Sequence, residues 1–320
     1  MTIRPLLTLV MVCLMTGLVF SYLAMALLPA LFDLNVAELI DNTAAGYPVI
    51  ESARTAMALF LAQGLSSLGF FVLPGWWFFQ NHRELLQENH RELLQARFGF
   101  GVSAWLGGMA LTILCLPMVY NLFHLNQGLP YSRLAEAYPA IKRVSLDWQA
   151  TEQSSQQLLT VLMKPDGILY GLIGVVVLAL LPAFGEELVF RGSLQPLIQQ
   201  QLRNPHAGVW VSAILFSAIH GQWLGFVPRC LLGALFGYLV LWSGSVWPAM
   251  MAHFCNNFLS FLAYKLNWWG LRDGPALSEA TFRWEDNPFP WYIALILMGL
   301  AATGLVHYRN TFSRSSKDQA

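Results

Sequence analysis

The chain has 320 residues, of which 56% are hydrophobic and 11% charged, and its formal net charge is zero. A water-soluble domain carries about 25% charged residues, so the deficit excludes a soluble globular fold and points to an all-α polytopic membrane protein. No basic tract suggests a nucleic-acid partner. The four cysteines, Cys13, Cys115, Cys230 and Cys255, lie in apolar runs without a CxxC pair, as small packing residues rather than disulfides or a zinc knuckle.

A membrane-crossing helix needs about 20 predominantly apolar residues. The first uncharged run, 5–32, follows Arg4 and contains an AMA string at 24–26 that resembles a signal-peptide cleavage site. It is far longer than the roughly 7–15 residues of a signal core, which favours a retained span. Further runs follow at 56–79, 98–123, 167–185, 204–228, 230–264 and 287–308. The 230–264 run is too long for one crossing, and the "WSGSVWP" stretch at 242–248 supplies a turn. Splitting it there predicts a bundle of about eight spans.

Lysine and arginine in short loops set orientation. With the N-terminus inside, the inner segments hold Arg4, then Arg83, Arg91 and Arg97, then Arg203, then Arg309, Arg314 and Lys317. The first outer loop is acidic, while the long 124–166 loop carries Arg133, Lys142, Arg143 and Lys164 on the outer side against the trend. The balance places both termini in the cytoplasm. A tandem "NHRELLQ" at 81–87 and 89–95 reads as a short duplication within an amphipathic inner-loop helix. The 124–166 loop is expected to include a surface helix, and Trp268 and Trp269 suit the membrane interface.

The costly residues come in the second half. A carboxylate at the centre of a membrane helix costs about 2.5–3.5 kcal/mol on insertion scales, so such residues are functional candidates. "GEELVFRG" at 185–192 holds three ionisable groups directly after an apolar run. Glu187 and Arg191 are spaced i,i+4 and can pair on one helical face, whereas Glu186 is rotated by about 100° and has no local cation. Alone, the cluster reads most simply as the cytoplasmic end of the fourth helix. Two more intrusions change that reading: "FSAIH" puts His220 four residues after Phe216, and "HFCNN" puts His253 four residues before Asn257. Each histidine by itself fits a satisfied core residue. Together the clusters offer a carboxylate, two imidazoles and an amide from the fourth, fifth and seventh helices.

That set suits hydrolysis. A glutamate in apolar surroundings can deprotonate a water, a histidine can position that water or hold a metal, and a His or Asn donor can stabilise an oxyanion. Cys255 is two residues from His253 and points about 200° away from it on a helix. Glu186, His220 and His253 are also a zinc-compatible donor set, although the helical HExxH signature is absent and the sequence does not demand a metal.

"EELVFR", "FSAIH" and "HFCNN" resemble, in order and internal spacing, the EExxxR, FxxxH and HxxxN motifs of the CPBP intramembrane proteases. That family groups CAAX proteases with bacteriocin-processing (Abi) enzymes and includes the eukaryotic type II CAAX prenyl endopeptidase. The likeness covers roughly 165–265. It implies a helical intramembrane endopeptidase in which Glu186 activates water. Glu187 and Arg191 would buttress the site, and His220 would help hold the water with Phe216 beneath it. His253 and Asn257, rather than the adjacent Asn256, would form the oxyanion hole. The implied organisation is an N-terminal membrane region at 1–166, a catalytic core at 167–266, and a loop, last span and tail at 267–320. The implied substrate is a hydrophobic or lipidated peptide reached from the lipid, in a bacterial plasma (inner) membrane. The alternative on the same fold is a non-catalytic membrane scaffold or bacteriocin-immunity factor.

Overall fold

The computed structural model describes residues 4–33, 53–81, 98–127, 151–152, 155, 158–159, 161–223, 225–268 and 289–315. No strand occurs among them. Among the described residues, eight apolar helices follow one another: α1 (Arg4–Phe32), α2 (Arg54–Asn81), α3 (Phe98–Gln127), α4 (Ile168–Leu202), α5 (Pro205–Ala218), α6 (Phe226–Ser243), α7 (Trp247–Lys265) and α8 (Trp291–Ser315). Six of them, α1 to α4, α6 and α8, are long and apolar enough to cross a membrane. Large apolar side chains stand exposed along α1, with Met15, Leu18, Tyr22 and Leu31 each more than 60% accessible. Such a surface is stable only against lipid, so the chain is an integral membrane protein.

The split between α6 and α7 falls at Gly244, whose φ of 65° closes α6 in the left-handed region that glycine enters without steric cost. Two other boundaries differ from the hydropathy reading. The fourth helix does not stop at 185 but continues to Leu202, carrying its charges within the helix. The 204–228 run is not one continuous helix. α5 ends at Ala218 after about 21 Å of rise, and the described residues 219–223 and 225, with Gly221 at φ 63°, are non-helical and separate it from α6. In the 124–166 loop, the described residues of 151–163 are helical. The NHRELLQ repeat beyond Asn81, residues 128–150 and Trp269 lie outside the described residues.

α3 packs against α6, α7 and α8, α1 against α2, and α5 against α6. Two apolar clusters result. One gathers Leu111, Phe236, Leu239, Met250 and Tyr308 from α3, α6, α7 and α8. The other gathers Leu9, Phe78, Phe190 and Phe216 from α1, α2, α4 and α5. The charged stretch of α4 lies between them, since Leu188 joins the first cluster while Val189 and Phe190 join the second.

α2 and α4 cross closely one residue before the two glutamates. A Cβ on Gly185 would stand 2.8 Å from Phe71 Cβ, 2.8 Å from Val72 Cγ2 and 3.1 Å from the Val72 backbone nitrogen. The backbone cannot yield as a flexible side-chain tip can. Gly185→Ala is therefore expected to destabilise the bundle by about 1–3 kcal/mol, the usual cost of overpacking. Unfolding of the detergent-solubilised variant measures this, and an unchanged midpoint would show that the crossing tolerates a methyl group.

Candidate active site

The α4 charges are held by the helix's own irregularity. At Phe190–Leu194 it widens to a π-helical turn, in which the Gln195 N–H reaches back to the Phe190 carbonyl and the Ser193 hydroxyl donates to Leu188 O at 3.1 Å. Pro196, next in sequence, has no N–H to give. Such turns are common at functional sites because they re-aim side chains. Here Arg191 and Gln195 both reach α6: Arg191 Nη2 donates to Gly233 O at 2.9 Å and Gln195 Nε2 to Gly237 O at 3.1 Å.

Glu187 and Arg191 are entirely buried and form an ion pair, Nη1 to Oε1, at 2.9 Å. The same Glu187 oxygen accepts from His253 Nδ1 at 2.8 Å. The carboxylate thus ties α4 to α7, and its negative charge fixes the His253 proton on Nδ1. The guanidinium stacks over the Phe216 ring, 4.5 Å from its centroid, in a cation–π contact strengthened by the absence of water. Among the described residues, Glu187 Oε2 and Arg191 Nε have no hydrogen-bond partners.

Phe216 is the hub of the site. Its buried ring meets His220 at 5.2 Å, His253 at 5.8 Å and Phe190 at 5.2 Å, centroid to centroid and near edge-on. His220 lies in the turn just past α5 and donates from Nδ1 to its own motif's Phe216 carbonyl at 2.8 Å. His253 stacks on Phe236 at 5.3 Å with 22° between the planes. Both imidazoles are therefore anchored through Nδ1, which leaves Nε2 as the atom each can offer to a ligand. A neutral ring offers an acceptor there.

Glu186 is partly buried, one residue from the ion pair. It lies within electrostatic reach of His253, Glu187, Arg191 and Arg229. Among the described residues it enters no ion pair within 4.0 Å. Asn257 sits one turn beyond His253 on α7 and accepts, at Oδ1, from Asn256 Nδ2 at 3.0 Å. The structure thus brings Glu187, Arg191, Phe216, His220 and His253 into one contacting group, with Glu186 in its field. Asn257 is not joined to that group by a hydrogen bond.

The donors suit zinc in kind, but their placement does not. Among the described residues no three His, Cys, Asp or Glu side chains are grouped closely enough to hold a metal ion. The His253 Nδ1 edge is already occupied by Glu187.

Several residues of this neighbourhood lie outside the motif reading. Gln195 is buried, one turn beyond Arg191. Its signal was the GxxxG spacing of Gly233 and Gly237 in α6, which lets another helix approach closely. A Cβ at Gly233 would lie 3.1 Å from Arg191 Nη2, and one at Gly237 2.8 Å from Gln195 Oε1. Phe236, between these glycines, carries His253. Arg229, in the first turn of α6, marked only a gap between two uncharged runs, yet its charge acts on Glu186 and His220.

Residues 168–259 match the family described as type II CAAX prenyl endopeptidase Rce1-like. A curated relative, the uncharacterized protein YpbD of Bacillus subtilis (strain 168), is 34% identical over 84 residues, which is 25% of this chain. The match spans 40% of that relative's length. No solved structure matches the chain.

Proposed function

We propose that this integral membrane protein is an intramembrane endopeptidase that cleaves a hydrophobic or lipidated peptide with a glutamate-activated water, a reading supported by the match of residues 168–259 to the Rce1-like family. The observation that carries the reading is the meeting of α4, the end of α5 and α7 around Phe216. Motifs more than 60 residues apart in sequence meet there, as the His253–Glu187 bond makes plain.

In the proposed reaction, a water lies between Glu186 and the two imidazoles, donating one hydrogen to the Glu186 carboxylate and sharing the other between the Nε2 atoms of His220 and His253. Glu186 takes one proton as the water oxygen bonds to the scissile carbonyl carbon, and the carbonyl π pair moves to its oxygen. Collapse restores the C=O bond and breaks the C–N bond, while the proton on Glu186 passes to the departing amine. Acid–base assistance of this kind contributes about 10²–10⁴-fold. Glu187 and Arg191 act through His253, keeping its ring oriented and its Nε2 turned inward. Asn257, one turn along α7, would donate to the oxyanion from Nδ2 while its Oδ1 accepts from Asn256.

The short-loop arginines favour cytoplasmic termini, and the Bacillus relative supports a bacterial plasma (inner) membrane. The test is proteomic: membranes containing the wild-type chain are compared with membranes containing Glu186→Ala. New C-terminal fragments are expected with the wild type alone. Identical fragment profiles would instead support the non-catalytic scaffold or immunity reading, provided both proteins are inserted at equal levels.

A further inference from the structure

The two imidazoles leave a chemical gap. Nδ1 of His220 is committed to a carbonyl and Nδ1 of His253 to a carboxylate. A neutral ring held in this way offers an acceptor at Nε2, whereas an oxyanion needs donors. Asn257 accepts from Asn256 at Oδ1, which leaves its own Nδ2 as an uncharged donor. A charged N–H donor, which holds an oxyanion more strongly than an amide does, has to come from elsewhere in the neighbourhood.

Arg229 is the group with one to spare. Its Nη2 donates to Gln222 Oε1 at 2.6 Å, bracing the loop that carries His220. Its Nη1 is buried and has no hydrogen-bond partner among the described residues. The guanidinium lies in the field of Glu152 and Glu186, and among the described residues it enters no ion pair within 4.0 Å. A buried N–H of a cation without an acceptor is costly, and a guanidinium edge is shaped for anionic oxygen. Gly225 lies directly behind it: a Cβ there would be 2.7 Å from Nη2 and 3.2 Å from Cζ. The guanidinium can sit where it does only because that position has no side chain.

We propose that Arg229 is a further catalytic residue, whose Nη1 donates to an anionic oxygen of the substrate, the oxyanion formed on the scissile carbonyl. The assignment rests on the endopeptidase reading above for the identity of that oxygen. The chemistry recognised is a tetrahedral or planar oxyanion beside an apolar chain. A substrate carboxylate shares that chemistry and is separated from the carbonyl oxyanion by the second arm of the test.

The first arm does not depend on turnover. Full-length protein in detergent is titrated with an N-acyl aminomethylphosphonate, a tetrahedral anion on an apolar tail, and its unfolding midpoint is followed. Saturable stabilisation of the wild type is expected, with apparent affinity reduced about 10- to 100-fold in Arg229→Gln, the worth of a charge-assisted hydrogen bond. Gly225→Ala, which displaces the guanidinium but keeps its charge, should weaken binding in the same direction. It also guards against misfolding of the glutamine variant, and the midpoints without probe report folding directly. Equal binding by wild type and both variants, or no binding by any, would overturn the proposal.

The second arm uses quenched hydrophobic peptides with either a free C-terminal carboxylate or a carboxamide. Loss of kcat in Arg229→Gln on both forms assigns the carbonyl oxyanion. A rise in KM confined to the free acid assigns a substrate carboxylate and overturns the oxyanion role. Glu186→Gln separates this proposal from the one beneath it. If that variant cleaves as fast as wild type, the glutamate mechanism fails while phosphonate binding still reports on Arg229.

Discussion

Glu186→Gln lowers kcat on the substrate identified by proteomics by about 10²–10⁴-fold and changes KM by less than about threefold. The glutamine keeps the size and polarity of the side chain, so packing near the α2–α4 crossing is undisturbed. What it loses is the ability to take a proton from water. His220→Ala is expected to fall into the same range by a different route, because it removes one of the two Nε2 atoms that hold the water. The combined variant should be scarcely slower than the slower single one, since groups acting on one water molecule are not additive. A double variant whose loss equals the product of the single losses would show that Glu186 and His220 act independently, and the shared-water mechanism would have to be abandoned. Full activity in Glu186→Gln would remove its role as base outright.

The motif residues were legible because their cost made them visible. Carboxylates, an arginine and histidines in apolar runs stand out against the hydropathy of their surroundings, and the i,i+4 spacing of Glu187 and Arg191 announces a pair that the structure forms at 2.9 Å. The turn at Gly244 was equally plain, because Ser-Gly-Ser and Pro248 interrupt the run. The rest was hidden by the same hydropathy logic. The uncharged run ends at 185, but Glu187 and Arg191 neutralise one another at zero exposure and the helix runs on to Leu202. Conversely, an uncharged stretch was read as continuous, although Gly221 breaks the 204–228 run at the point where His220 must turn inward. The uncharged polar residues of α3 left no such trace. Asn121, His124 and Asn126 are buried on α3, and Asn126 Nδ2 holds the Trp223 carbonyl of the His220 loop at 2.8 Å. That tie joins α3 to the loop from outside the 168–259 match, and nothing in the spacing of residues along α3 could have revealed it.

The largest expected loss of stability comes from Arg191→Met. Methionine fills much of the same volume and keeps the contact with Phe216, but it leaves the Glu187 carboxylate buried with His253 as its remaining partner. Removing one member of a buried ion pair costs about 3–5 kcal/mol, because the other charge is stranded. Two further terms act in the same direction: the Gly233 carbonyl loses its Arg191 donor, and the cation–π contact disappears. The stranded charge can be relieved separately. In the Glu187→Gln/Arg191→Met double variant no net charge remains at the pair, and a glutamine oxygen can still accept from His253 Nδ1. Stability should therefore recover part of the loss, giving a coupling of the order of 1–3 kcal/mol between the two positions. Activity should not recover with it. The glutamine can rotate its amide N–H toward the imidazole and release the proton from Nδ1, after which Nε2 carries the hydrogen and no longer accepts from the water. Unfolding midpoints of the single and double variants in detergent, measured beside turnover, separate the two effects. Equal destabilisation by the single and double variants would mean that the pair fills space and nothing more; a double variant restored in both stability and rate would mean that the orientation of His253 is not controlled by Glu187.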